Sequence, residues 1–398
     1  MKSKQQRWLL ALNIIFNLIM GFILPVNTIF ITKNLRKSMV TAGFVLLIYS
    51  LLMLVGNFLG GQLFDRWSHR GTLLLGYGLS AASLCAITFN HTWPSYFIFL
   101  ATGGLAMGIA YTGINSYTAL LAEQSPRKSQ TIFSRMYLAA NVGIAVGSTF
   151  VGWIFQRSVF WTFALQTICF LSCFLIVLRL GAILESPAAK ATADQPPFSS
   201  APFLKLTRPQ RIRNLILVAS ASLIIWSGYS QWDSNLSLYM LQNHFSLAQY
   251  SFLFSINAAS LFIIQPLMNR LLGHFLTQLK SQITVGLLLM GSSFLLLPTA
   301  TNYSQYIGSM LLLTIGESVT FPLIPALLNK FAQHENRGTY QSFYVIFSSL
   351  GRALGPYWGS LLITKASFTT LFYVIWVTMF LAAWGIGQVR EKPAPDLN

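Results

Sequence analysis

Between Trp8 and Ile31 the chain reads WLLALNIIFNLIMGFILPVNTIFI, with no charged residue and no regular alternation of polar and apolar positions. A helix rises about 1.5 Å per residue, so a run of this length covers the roughly 30 Å hydrocarbon core of a bilayer. The basic stretch MKSKQQR precedes it, and Lys33, Arg36 and Lys37 follow. A basic start before an apolar run also describes a secretory leader. This run, however, outlasts the about 7–15 residues of a leader's apolar region and shows no small-residue cleavage site, which predicts a retained first span.

Runs of the same kind recur to the end of the chain. Hydropathy predicts further spans at 41–64, 72–90, 94–122, 130–155 and 159–181, then at 212–241, 247–271, 280–299, 303–331, 337–363 and 368–389. Of the 398 residues 54% are hydrophobic and 9% charged; a soluble domain carries about 25% charged residues to cover its wetted surface. Only helices or closed barrels satisfy their backbone groups in lipid, and long unalternating runs suit helices. The expected class is an all-α polytopic membrane protein of twelve transmembrane helices.

The one long hydrophilic stretch, from Leu184 to Arg213, holds Pro187, Pro196, Pro197, Pro202 and Pro209 among Ala and Ser. It reads as a cytoplasmic linker over 184–211 between an N-terminal six-helix bundle (1–183) and a C-terminal one with a short tail (212–398). The halves echo each other. Gly-Gly-Gln-Leu-Phe-Asp-Arg (60–66) ends the second span and Gln-Pro-Leu-Met-Asn-Arg (265–270) ends the eighth. The fifth span carries Gly143 and Gly147, and the eleventh carries Gly351, Gly355 and Pro356. Such internal symmetry predicts two pseudo-symmetric bundles, each able to rock against the other.

A net charge of +17 could speak for nucleic acid, but its placement speaks against that. Of 26 Lys and Arg, 20 fall on the N-terminus, every second loop and the tail; Lys33, Arg36, Lys37, Arg157 and Lys365 fall on the other side, and Arg352 lies inside a span. This positive-inside pattern predicts a multi-pass protein of the cell (plasma) membrane with both termini cytoplasmic. The basic loops then meet anionic lipid heads, with no nucleic-acid partner.

Gly61-Gln-Leu-Phe-Asp65-Arg66-Trp-Ser-His-Arg70, between the second and third spans, resembles the Gly-x-Leu-x-Asp-Arg-x-Gly-Arg-Arg loop of the major facilitator superfamily. Ser68 stands where that loop has its second Gly, which predicts a looser turn. Within the superfamily, Thr314-Ile-Gly-Glu317-Ser-Val-Thr-Phe-Pro322 resembles the tenth span of twelve-span drug:proton antiporters, where a carboxylate titrates, and Gln231-Trp-Asp233-Ser-Asn resembles their acidic seventh span. The antiporters' Gly-x-x-x-Gly-Pro reads here Gly143-Ile-Ala-Val-Gly147-Ser148, without the Pro, and their span-four Arg is absent. The resemblance implies proton-coupled export of lipophilic or cationic small molecules by alternating access. It also implies that Gly61, Asp65, Arg66 and Arg70, with Glu123 as a partner acid, latch the outward-open state.

Asp233 and Glu317 are the two of the nine acids placed within the membrane. A charge at the bilayer centre costs about 2.5–3.5 kcal/mol on insertion scales, so such a group faces a cavity, pairs or takes up a proton. Two readings of Glu317 stand side by side: a proton carrier, or a structural ion pair with Arg352 on the next span. Polar and aromatic side chains inside spans supply a candidate cavity wall: Asn13, Asn17, Tyr111, Asn115, Asn141, Trp226, Tyr229 and Trp232, with Asn27, Gln166, Gln231 and Asn257 as further polar positions. An Asn within a span also serves as interhelical glue. Aromatic walls suit lipophilic or cationic ligands through stacking and cation–π contacts. Gly143, Gly147, Gly351, Gly355 and Pro356 read as packing and hinge positions.

Other classes remain open on the residues alone: a lipid or glycolipid flippase, a sugar or metabolite carrier, a membrane-embedded enzyme, a channel. His69, His91, His244, His274 and His334 lie in or near loops without ligand spacing, and Cys169 and Cys173 share a helical face with no further soft ligand, so neither a metal site nor an enzyme is expected. No phosphate-binding Gly-x-x-x-x-Gly-Lys-Ser/Thr loop occurs. The expected energy source is a proton gradient without cofactor; the expected partners are a lipophilic small molecule, protons and membrane lipids, with the chain acting as a monomer.

Overall fold

The computed structural model describes residues 2–123, 129–179, 207–331 and 337–391, and every regular element among them is helical. The first half holds α1 (Lys2–Ile29), α2 (Met39–Arg66), α3 (His69–Phe89), α4 (Ser95–Glu123), α5 (Ser129–Arg157) and α6 (Val159–Arg179). The second opens with α7 (Arg208–Asp233) and the short α8 (Asn235–Gln242). It continues through α9 (Leu247–Phe275), α10 (Leu279–Leu296), α11 (Tyr303–Phe331), α12 (Arg337–Lys365) and α13 (Phe368–Gly387). Together α7 and α8 make one broken span, so the described helices supply twelve. Eleven are long and apolar enough to cross a membrane; α12 is not among them, since Arg352 and several Ser and Tyr residues dilute its apolar surface. The protein is a multi-pass, all-α membrane protein.

Three local features differ from the reading of the sequence. The linker's end moves back from residue 211 to Thr207, because Pro209 fits the first turn of α7, where no backbone donor is needed, and Gln210 accepts from the Thr207 amide at 3.1 Å. Residues 184–206 of the linker lie outside the described residues. The turn after α2 is tight, only Trp67 and Ser68, with Ser68 extended (φ −162°) and its hydroxyl accepting from the Gly71 amide at 2.9 Å. Ser caps a helix as well as Gly would turn it. Finally, the seventh span breaks at Ser234 between α7 and α8.

The chain divides into two compact units, one of residues 1–198 with 246–255, the other of 199–245 with 256–398. In the first, α1 packs on α5, α2 on α4, and α3 on both α4 and α6. In the second, α7 packs on α12 and α13, and α10 on α11 and α13. Small residues make the closest crossings. A Cβ on Gly143 or Gly147 would strike the carbonyls of Ile14 and Leu18 on α1, and one on Gly351 or Gly355 those of Leu223 and Ser227 on α7. Ser148, where the antiporter pattern has Pro, donates instead to the Gly21 carbonyl at 3.3 Å.

Candidate functional site

The acid Glu317 sits at the midpoint of α11, about 20 Å of helix from either end, and only 7% exposed. One of its oxygens, Oε2, accepts from Asn257 Nδ2 on α9 at 2.9 Å and from the Tyr229 hydroxyl on α7 at 3.3 Å. Asn257 also donates to Thr314 Oγ1, one helical turn before Glu317, at 2.9 Å. Three helices of the second unit therefore converge on one carboxylate, and the donors that hold it are neutral.

One turn further along α11, Phe321 stacks on Trp226 of α7 at 4.5 Å and 7°. Tyr229 meets both rings edge-on, each at 5.4 Å. The Arg352 guanidinium of α12 lies over the same Trp226, its Cζ 4.0 Å from the ring centre. Of the two readings of Glu317, the ion pair with Arg352 is not formed: no ion pair within 4.0 Å joins them. Glu317 turns to Tyr229 and Asn257, while Arg352 is held by the π-face of Trp226. Asp233 closes α7 at the break, half-buried, within electrostatic reach of both Arg352 and Glu317.

The break itself is braced by side chains. Gln231 Nε2 donates to the Ser227 carbonyl at 3.0 Å and across to the Gly355 carbonyl of α12 at 2.8 Å, while Asn235 Nδ2 donates to Gln231 Oε1 at 2.6 Å. Ser360 of α12 donates to Asn235 Oδ1 at 3.1 Å. A helix that stops and restarts inside a membrane needs such substitutes for its lost backbone bonds.

The remaining expected residues scatter. Trp232 is 1% exposed and packs its edge against Phe294 at 6.0 Å, in the core of the second unit and apart from the Trp226 cluster, because it lies about a third of a turn round α7 from Trp226. Asn13 donates to the Met136 carbonyl of α5 at 2.7 Å and Asn17 to Asn13 at 2.9 Å, both buried in the α1–α5 crossing. Asn141 bonds its own helix at Tyr137. Tyr111 (39% exposed) stacks on Phe16 at 5.7 Å, and Asn115 is exposed one turn further along α4. Pro356 lies inside α12 next to Gly355.

Of the loop residues, Gly61 lies opposite Thr112 of α4, and Asp65 and Arg66 are exposed at the end of α2. Arg70 reaches the Leu178 carbonyl at the end of α6 at 2.8 Å. The Glu123 side chain lies outside the described residues. Asn257, one of the polar positions named from sequence, joins the cluster; Thr314 and Phe321 belong to it without having been singled out, and the signal was their spacing, three before and four after Glu317 on one helical face.

The family model described as Major Facilitator Superfamily matches residues 9–280 and 234–397. The chain is 29% identical over 380 residues to YttB of Bacillus subtilis (strain 168), an MFS-type transporter, covering 95% of this chain and 94% of that one. It is 23% identical over 353 residues to the multidrug resistance protein MdtH of Aeromonas hydrophila, covering 88% and 84%. A crystal structure of a POT family transporter in complex with 5-aminolevulinic acid superposes with a TM-score of 0.81 at 15% identity over 96% of this chain and 95% of that one. At that identity the likeness concerns the fold.

Proposed function

Since the chain belongs to the Major Facilitator Superfamily and is a membrane transporter of that type, we propose that it is a proton-coupled carrier of lipophilic small molecules working by alternating access, with Glu317 as the proton-carrying group. The observation that carries the proposal is a mid-span carboxyl gripped on one oxygen by neutral donors from two other helices and paired with no cation within 4.0 Å among the described residues. A permanent negative charge there would be costly, and a lasting ion pair would hold the proton off; a neutral cradle allows both protonation states. Asp233 serves as a second acid at the break of its helix.

Kinship with MdtH supports the export direction, as an exchange of substrate for protons. A proton entering across 100 mV yields about 2.3 kcal/mol, enough for roughly fifty-fold accumulation. The charge distribution supports cytoplasmic termini and a plasma-membrane location.

The test is transport in proteoliposomes under an imposed pH gradient of either polarity, with substrate equilibrium binding measured beside it. Glu317→Gln is expected to abolish gradient-driven transport while binding stays within about threefold. Gradient-driven transport at the wild-type rate in Glu317→Gln removes Glu317 from the mechanism.

A further inference from the structure

Trp226 and Arg352 form a stacked pair beside the Glu317 cluster. Phe321 at 4.5 Å and the Arg352 guanidinium at 4.0 Å both lie in van der Waals contact with the Trp226 ring system, and two groups so close cannot share a face. Both faces of the indole are therefore occupied, one by an aromatic ring and one by the protein's own cation. A cationic ligand finds no free face on Trp226 and meets a guanidinium beside it.

Arg352 lies next to the midpoint of α12, yet it is exposed and joins no carboxylate within 4.0 Å among the described residues. Asp233 is within its electrostatic reach but not in contact with it, and an exposed guanidinium at that depth cannot face hydrocarbon cheaply, so it borders a wetted space. That α12 is too polar to pass as an ordinary apolar span agrees with this. Stacking on an aromatic face holds a guanidinium by its plane and leaves the N–H groups around its rim, where they match the paired oxygens of a carboxylate, sulfonate or phosphate. Beside it stand the Tyr229 and Phe321 rings, which can cover an apolar body.

We propose that Arg352, stacked on Trp226, is the docking cation for the acidic group of an amphipathic organic anion, whose apolar part lies against Tyr229 and Phe321. This rests on the reading of the Glu317 cluster as the transport site and narrows the substrate class taken there. The acidic oxygens lie at the guanidinium rim and Glu317 remains with Asn257 and Tyr229. Recognition and proton carriage then fall to different residues a few side chains apart.

The purified full chain is tested by ligand-induced thermal stabilisation and equilibrium binding, using 2-naphthoate, its methyl ester, 2-naphthylmethylammonium and a short-chain phosphatidic acid. Naphthoate or the phosphatidic acid is expected to stabilise the protein, with the ester and the ammonium at least tenfold weaker. The tighter of the two acids tells a free organic acid from a lipid head. Arg352→Gln should weaken acid binding at least tenfold and leave the ester unchanged, and Arg352→Lys should recover part of the loss. Trp226→Phe, which keeps an aromatic support, should lose less than Arg352→Gln.

Tighter binding of the ammonium, equal acid binding in Arg352→Gln, or stabilisation by none of the four at millimolar concentration would overturn the proposal. Glu317→Gln separates this from the proton reading, because it should retain naphthoate binding. Acid binding lost in Arg352→Gln together with gradient-driven transport intact in Glu317→Gln would uphold the docking cation and sink the proton carrier.

Discussion

The α1–α5 crossing in the first unit and the α7–α12 crossing in the second are built alike and used differently. Both close on small residues, Gly143 and Gly147 against α1, Gly351 and Gly355 against α7. In the first unit the crossing is sealed: Asn13 and Asn17 are spent on each other and on the Met136 carbonyl, and α1 runs unbroken into a terminal π-turn at Phe30–Asn34. In the second, α7 breaks at Ser234, its loose ends tied by Gln231, Asn235 and Ser360, and it carries Trp226, Tyr229 and Asp233 alongside. Acids and a mid-span cation gather around this crossing. The same scaffold serves packing in one half and, on the proposed reading, proton carriage in the other.

The largest effect expected of that contrast is functional. Glu317→Gln should abolish gradient-driven transport, whereas Asn17→Ala in the sealed crossing should cost about 1–2 kcal/mol of stability and leave the gradient dependence of transport as it was. Vesicle transport at two pH gradients, beside thermal unfolding, reads both. If Asn17→Ala also uncouples transport from the gradient, the division of labour between the crossings fails.

A more even outcome is expected from crowding the two crossings. Gly147→Val would press a side chain on the Leu18 carbonyl and Gly351→Val on that of Leu223, backbone atoms that cannot swing aside. Each should lose about 1–3 kcal/mol, read as a lower midpoint of thermal unfolding in detergent. Similar losses would sharpen the likeness of the scaffolds. A loss confined to Gly351→Val would break it.

The spans were legible because hydropathy acts over windows longer than any single contact, and even α12, which falls short of an ordinary apolar span, was picked out at 337–363. The break in the seventh span was not. It depends on Gln231 reaching Gly355, a contact between residues 124 positions apart. The acid Glu317 was legible as an intramembrane charge, and so was Arg352. Their separation was not, because charge arithmetic pairs them, while the π-face of Trp226 and the donors Asn257 and Tyr229 pull them apart. Periodicity could place Trp232 on α7 but could not tell that its face turns into the core toward Phe294.

The smallest effects should come from the starts of α3 and α10, the corresponding third helices of the two units. Their long side chains behave alike: Arg70 reaches the Leu178 carbonyl at the end of α6, and Lys280 the Gly387 carbonyl at the end of α13, at 3.2 Å. The caps differ. Ser68 caps α3 from within its own turn at 2.9 Å. The start of α10 is capped from far along the chain by Glu391, whose oxygens accept from the Leu279 and Lys280 amides at 3.0 and 3.1 Å and from Lys330 of α11 at 2.6 Å. Charged capping with three donors outweighs a hydroxyl with one. Glu391→Ala should therefore cost about 1–3 kcal/mol, discounted because Lys330 is 40% exposed and rehydrates on losing its partner. Ser68→Ala should cost about 1 kcal/mol, the usual loss for a helix cap. Added salt screens only the first, so raising ionic strength should narrow the gap between the two variants' unfolding midpoints. A gap that stays constant with salt would mean that the Glu391 carboxylate acts through its hydrogen bonds to the α10 amides rather than through the Lys330 charge.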